Sequence, residues 1–490
     1  MRNASLHADT VTAGNPTPTV ARLLRCLAGL LRCLAASGTL FLPACVTLHE
    51  TPPVNMPSAP LAKPVEFDTA KGPVSAQKSG QIIRSLKSES GDTEILNKHL
   101  ALEEAINRDS PLVLGNKLTL LQDGPATYKA MFAAIRAAKD TINLETYIFD
   151  DGEIGTEFAD LLLAKQASGV QVNVIYDSVG CLDTPKEFFD RLRNSGMQVL
   201  EFNPINPANV RKKEWLLNNR DHRKLLVVDG RTAFLGGINI SETYSSGSNS
   251  KPVKKKDGKT ETGWRDTQLQ IEGPVVAELQ KDFMGTWARQ KGPALPRRNY
   301  FPRLVTRGNE IVRAIASESD EPASPIYLTL LSAIDHAERS VHLTNAYFVP
   351  DPQLINALTS AARRGLDVEL ILPGKTDSWL VFHAGRSHYA ELLRAGVRIF
   401  ERRNAVLHAK TATIDGVWST IGSTNLDWRS YLHNDEINAV ILGPEFSRQM
   451  EAMFAKDRAA AKAIDPDQWR RRSPLLHIQE WLARRFEYWL

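Results

Sequence analysis

Residues 222–239 read HRKLLVVDGRTAFLGGIN, and residues 408–425 read HAKTATIDGVWSTIGSTN. Both follow HxKxxxxD and then, seven residues after the Asp, GxxN. The copies keep a constant offset of 186 residues, from His222 to His408 and from Asn239 to Asn425. A lone HxK is a common surface-strand pattern, whereas a doubled cassette at one offset is a duplication with context. His222 and Lys224 are two apart, as are His408 and Lys410, so each pair shares one face of a strand. The apolar run LLVV after Lys224 suits a strand buried on both faces. Asp229-Gly230 and Asp415-Gly416 are hairpin-turn dipeptides. The returning strands, TAFLGGIN and WSTIGSTN, bring Asn239 and Asn425 back beside their own His and Lys.

Outward from the cassettes the duplication continues. In the first copy the hydrophobic spacing predicts helices over 125–139, 153–168 and 185–195, with strands at 141–149, 170–176 and 197–202. In the second it predicts helices over 325–338, 352–364 and 383–395, with strands at 340–349, 367–372 and 397–401. SGVQVNVIYD matches RGLDVELILP, and NSGMQVLEF matches RAGVRIFER. Alternating strands and helices predict an α/β fold of two duplicated lobes, 108–300 and 301–465. Each lobe is expected to be a helix-covered mixed β-sheet, and the two sheets can share one interface.

Each cassette supplies an imidazole, an ammonium and a carboxamide. Lys224, Lys410, Asn239 and Asn425 are donors suited to the nonbridging oxygens of a phosphate. At Gly237 and Ser423 the backbone N–H is expected to approach the same anion. A neutral His can attack phosphorus and form a phosphohistidine. A second, protonated His can donate to the leaving alkoxide. One copy cannot provide both, but a paired site can. Two lysines already meet the charge, so neither metal nor cofactor is required.

The cassettes resemble the paired HKD motifs of the phospholipase D superfamily, over about residues 110–455. The resemblance implies a two-lobed α/β fold with the active site at the seam. It implies His222 as nucleophile, His408 as general acid, and the two lysines and asparagines as phosphate ligands. The catalytic set is then His222, Lys224, Asp229, His408, Lys410 and Asp415, with Asp229 and Asp415 structural or orienting at the far strand ends. Glu436, in HNDEINAVI, matches an acidic residue that orients a histidine, and Asp266, in WRDTQLQIEG, is its counterpart in the first copy. NLETYIFDD, FLGGIN and SxNLDWRSYLHNDE look most like bacterial cardiolipin synthases. That group moves a phosphatidyl group from one phosphatidylglycerol to another and releases glycerol. Unlike the common synthase, this chain shows no pair of N-terminal transmembrane helices.

The flanks carry other signals. The segment 20–45 is basic and then apolar, ending Leu42-Pro43-Ala44-Cys45. It reads as a bacterial lipoprotein leader (1–45) with Cys45 as the lipid anchor; the alternative is a buried or membrane-lying helix. Residues 46–80, rich in Pro, Ser, Ala and Lys, read as a tether, and 81–107 as a short helical lead-in. The lysine-rich loop 243–263 reads as an insertion or a flap over the site. At the end, 466–490 reads as an amphipathic helix with Leu475, Ile478, Leu482, Phe486 and Trp489 along one face. That stripe fits either packing on the last lobe or a membrane interface.

Composition narrows the function. A net charge of +4, from 60 Lys+Arg against 56 Asp+Glu, gives no general case for binding nucleic acid. That surplus and the lipid-anchor signal weigh against a nuclease, and two intact cassettes weigh against a lipid-binding scaffold with a dead site. Two readings remain: a cardiolipin synthase-like phosphatidyltransferase and a phospholipase D that passes the phosphatidyl group to water. The expected partners are a phospholipid, phosphatidylglycerol foremost, and the membrane surface, with no nucleic acid. The expected location is the bacterial cell envelope, membrane-associated and facing the periplasm. The oligomeric state is left open by the sequence.

Overall fold

The computed structural model describes residues 65–212, 215–248, 253–254, 260–261, 263–376 and 378–490. The leader, Cys45 and most of the tether lie outside the described residues.

The duplication is visible strand by strand. In the first lobe the order across the sheet is Gln198–Phe202, Gln171–Asp177, Thr141–Thr146, Lys224–Val228, Thr232–Gly236, Thr267–Glu272, Leu112–Gln122. In the second it is Arg398–Arg402, Asp367–Pro373, Ser340–Asn345, Lys410–Ile414, Trp418–Gly422, Asn434–Leu442, Glu310–Ser317. The first three strands of each list are parallel, joined through helices, and the rest pair antiparallel. Leu112–Gln122 belongs to both sheets, pairing with Thr267–Glu272 at one end and Glu310–Ser317 at the other.

Helices cover one face of each sheet, and the helices Val276–Arg289 and Pro444–Ala459 cover part of the other. Against the first sheet, Glu153–Ala167 and Lys186–Asn194 bury Phe158, Leu162, Phe189 and Leu192 on Val172, Val174 and Leu226. The opposite faces meet one another. Leu225, Val227, Leu235 and Leu269 of the first lobe share one core with Ile421, Ile437, Ala439 and Ile441 of the second. The expected helix covering is present, and on the inner face those two helices share the core with the other lobe's sheet. This is why the cassette strands are buried on both sides.

Three local expectations change. Residues 67–80 are not tether: Phe67–Thr69 pairs parallel with the start of Leu112–Gln122, and a helix runs Ala76–Ser90. Phe67 is fully buried there, and Leu86, with Val74, Ile82 and Ile83 half-buried, packs into the same core. The strand expected at 340–349 leaves its sheet after Asn345, and Phe348–Val349 pairs instead with Leu426–Asp427. The helix expected over 383–395 is two helices, Trp379–Arg386 and Tyr389–Ala395, parted at His388, whose ring meets Glu487.

The C-terminal helix, Pro474–Arg484, starts with Ser473 accepting from the Leu475 N–H and Pro474 at its first position. It packs on the last lobe through Glu480, paired with Arg472, and Ala483, set against Val349, Ala384 and Trp428. The apolar stripe points the other way, into solvent. No helix among the described residues is long and apolar enough to cross a membrane.

Candidate active site

Each histidine ends a short stretch of chain that pairs with the opposite lobe. Arg220 and Asp221 run parallel to Asn434 and Asp435. Val406 and Leu407 run parallel to Trp264 and Arg265. One residue further on, the register sets His222 beside Glu436 and His408 beside Asp266. His222 Nδ1 lies 3.0 and 3.1 Å from the two Glu436 oxygens, and His408 Nδ1 lies 2.7 Å from Asp266 Oδ2. Glu436 and Asp266 thus each meet the histidine of the other lobe, not their own. A carboxylate only accepts, so Nδ1 carries the proton in both rings and the lone pair of the neutral ring sits on Nε2.

The lysines stand beside the histidines as the two-residue spacing requires. Lys224 Nζ donates to His222 O, and Lys410 Nζ donates to His408 O and lies 3.0 Å from His408 Nδ1. All four side chains are nearly sealed from solvent. They also feel one another across the seam. Burial lowers His222 to about 4, helped by Lys224 and by Lys410 of the other lobe, and opposed by Glu436. Burial also lowers His408, with Lys410 and Lys224 acting in the same direction against Asp266. Lys224 is brought down to about 7 by burial and by Lys410. Burial would raise Glu436, but the charge and hydrogen bond of His222, with Lys224, carry it down to about 2. The cluster is one electrostatic unit in which two lysines face two carboxylates, and the lowered histidines and Lys224 would each gain a proton more readily beside an anionic ligand.

The other expected site residues fall into different places. Asn239 is beside the site, with Oδ1 accepting from the Ile148 N–H and Nδ2 donating to the Tyr244 hydroxyl. Asn425 is buried, and its Oδ1 has no hydrogen-bond partner among the described residues. Gly237 and Ser423 do not offer their N–H groups to an anion, because these donate to Thr267 O and Ile437 O. Glycine at 237 has another cause: a Cβ there would stand 2.2 Å from Asp266 Oδ1. Asp229 and Asp415 are remote from the chemistry. Asp229 accepts from the N–H groups of Lys139, Asp140 and Thr141, and Asp415 from those of Glu338, Arg339 and Ser340. Both have positive φ (51° and 52°) and clamp the start of the neighbouring strand to the hairpin turn.

Sequence reasoning missed the aromatic lining. Tyr147 stands edge-on to His222, with Lys224 Nζ 5.1 Å from its ring centre. Trp264 and Tyr347 lie against His408, and the Tyr244 hydroxyl is 3.2 Å from His408 Nδ1. Tyr147 and Tyr347 follow corresponding strands and could have been found from the repeat. Tyr244 and Trp264 stand at the two ends of the lysine-rich 243–263 stretch and carry no period. Among the described residues, no group of three or more His, Cys, Asp or Glu side chains could hold a metal ion.

Comparison with known proteins identifies the family. The family model described as "Cardiolipin synthase, PLD-like domain" matches twice, at residues 131–256 and 330–458. The cardiolipin synthase of Geobacillus kaustophilus is 34% identical over 376 residues, covering 76% of this chain and 72% of that protein. Cardiolipin synthase A of Pseudomonas entomophila is 36% identical over 381 residues, covering 76% and 75%. The crystal structure of a phosphatidylserine synthase from Haemophilus influenzae superposes with a TM-score of 0.59 at 15% identity, covering 80% of this chain and all of that one, a likeness of fold. The chain belongs to the cardiolipin synthase, phospholipase D-like family.

Proposed function

We propose that this family member is a phosphatidyltransferase that makes cardiolipin from two molecules of phosphatidylglycerol. His222 Nε2 attacks the phosphorus of the first lipid, and the bond to the headgroup glycerol breaks. His408, protonated, donates to the departing glycerol oxygen. The headgroup hydroxyl of a second phosphatidylglycerol then attacks the phosphohistidine. His408 takes up its proton, and the phosphorus–nitrogen bond breaks to restore His222. Lys224, Lys410, Asn239 and Asn425 bind the phosphate oxygens. Glu436 and Asp266 hold the imidazoles in the required tautomer and stabilise the imidazolium that forms at each.

The observation that carries this reading is the crossed pairing of each histidine with the other lobe's carboxylate. It delivers two differently placed imidazoles and two lysines to one buried cluster. Burial and lysine charge keep both histidines below their ordinary range. The phosphate anion is then the group that allows His408 to hold a proton.

The basic-then-apolar leader ending Leu42-Pro43-Ala44-Cys45 supports attachment at a bacterial membrane surface through Cys45, facing the periplasm. In mixed micelles of labelled phosphatidylglycerol, cardiolipin should accumulate with stoichiometric glycerol and phosphatidate should be minor. Phosphatidate dominating at every lipid density would make the protein a phospholipase D instead.

A further inference from the structure

The C-terminal helix is held by the face that its apolar pattern did not mark. Glu480 and Ala483 point inward, while Leu475, Ile478, Trp481, Leu482, Phe486 and Trp489 are 48–67% exposed. Arg470, Arg471, Arg484 and Arg485 are exposed on the same terminal segment, Arg470 pairing with Asp467 just before it, and no acidic side chain is exposed from Arg470 to Leu490. Arg485 lies over the Trp481 ring. Exposed aromatic and aliphatic residues, with arginines on the same segment, are complementary to an anionic lipid surface.

The helix is also tied to the site. The Leu490 carbonyl accepts from the Arg429 N–H, and the Arg429 guanidinium donates to Asn218, four residues before His222. Tyr488 lies tilted against Trp428 and edge-on to His433, and the His433 carbonyl accepts from the Arg220 N–H. Two neighbouring segments are exposed and apolar as well: Trp379, on the helix Trp379–Arg386 that packs against the C-terminal helix, and Trp215 with Leu217, just before the cassette.

We propose that the outer face of the C-terminal helix is the surface by which the protein rests on an anionic lipid bilayer, beside the wall of the site that carries His222. This deepens the phosphatidyltransferase reading and rests on it, since phosphatidylglycerol is both the substrate and a source of the anionic charge. Docking by this face brings the headgroup layer to the histidines without any helix crossing the bilayer.

The test uses the full chain and two variants, I478E/W481E and W481F/W489F. Vesicles of phosphatidylglycerol and phosphatidylcholine with brominated acyl chains should quench tryptophan fluorescence in the unaltered chain. W481F/W489F should lose most of that quenching, and vesicles of phosphatidylcholine alone should quench less. I478E/W481E should turn over vesicle substrate at least about tenfold more slowly, while its rate on monomeric short-chain phosphatidylglycerol is unchanged. Unchanged vesicle turnover, an equal fall on both substrates, or quenching that persists in W481F/W489F would each overturn the proposal. So would a dimer in solution that I478E/W481E dissociates, which would make the face a contact between copies. If the unaltered chain makes no cardiolipin from either substrate, the transferase reading fails, and the quenching result alone decides the docking.

Discussion

At the residue scale the site depends on charges that hold one another. His222→Ala and His408→Ala should each abolish turnover and not halve it, because residues acting as a unit are non-additive. A single variant retaining about half the rate would mean that the lobes work separately. The pH profile has a stated sign. His222, held at about 4, is neutral above that value, so the acid limb of kcat/KM should lie near pH 4. The proposed acid, His408, must be protonated and is held below its ordinary 6.5 by burial and the two lysines, so kcat/KM should already fall on the basic side below pH 6.5, and the loss of charge on Lys224, at about 7, should steepen that fall. Bound phosphate favours charged Lys224, and the basic limb of kcat should therefore lie at higher pH than that of kcat/KM. Glu436→Gln removes a group that raises His222, so the acid limb should move below 4 while the rate falls by about 100-fold or more. An acid limb moving upward would contradict the assigned pairing.

At the scale of elements, the helix Leu100–Ile106 is tied to the second lobe through charge. Glu103 is fully buried, with Arg313 Nε at 2.9 Å and His99 Nε2 at 3.0 Å, and accepts from Trp418 Nε1 at 3.1 Å. Burial would raise this carboxyl, yet Arg313 and His99 carry it below its ordinary value. Removing one partner of a buried ionic group leaves the other uncompensated. Glu103→Ala should cost about 3 kcal/mol, read as a lower urea midpoint, whereas Glu89→Ala, on an exposed helix end, should cost under about 0.5 kcal/mol. Equal midpoints for the two variants would show that the lead-in helix is not part of the cooperative unit.

At the scale of the whole molecule, the lobes are joined by a strand common to both sheets and by an apolar core made from both. The crossed ladders then assemble the site only when the lobes are docked. Activity should survive exhaustive EDTA, since the proposed chemistry assigns the phosphate charge to two lysines. Complete loss restored by Mg²⁺ or Zn²⁺ would sink the phosphohistidine reading. Attachment is a separate matter. In a Gram-negative host the chain should incorporate labelled palmitate and Cys45→Ser should not. Equal labelling of both would remove the lipid anchor.

The sequence by itself determined what is local or repeated. His222 and Lys224 share a strand face because side chains alternate, Asp229-Gly230 turns because both residues have positive φ, and the 186-residue offset marks two copies of one lobe. It also pointed to Glu436 and Asp266 as orienting acids. Only the tertiary structure decided which acid meets which histidine, because that depends on the register between Arg220–Asp221 and Asn434–Asp435, strands from different lobes. Likewise, helical spacing marks an apolar face on Pro474–Arg484 but does not say whether that face turns toward protein or away from it. Here the Glu480–Arg472 pair and small Ala483 form the inward side and leave the stripe outside. Periodicity describes one element, whereas pairing and facing are properties of two elements brought together by the burial of everything else.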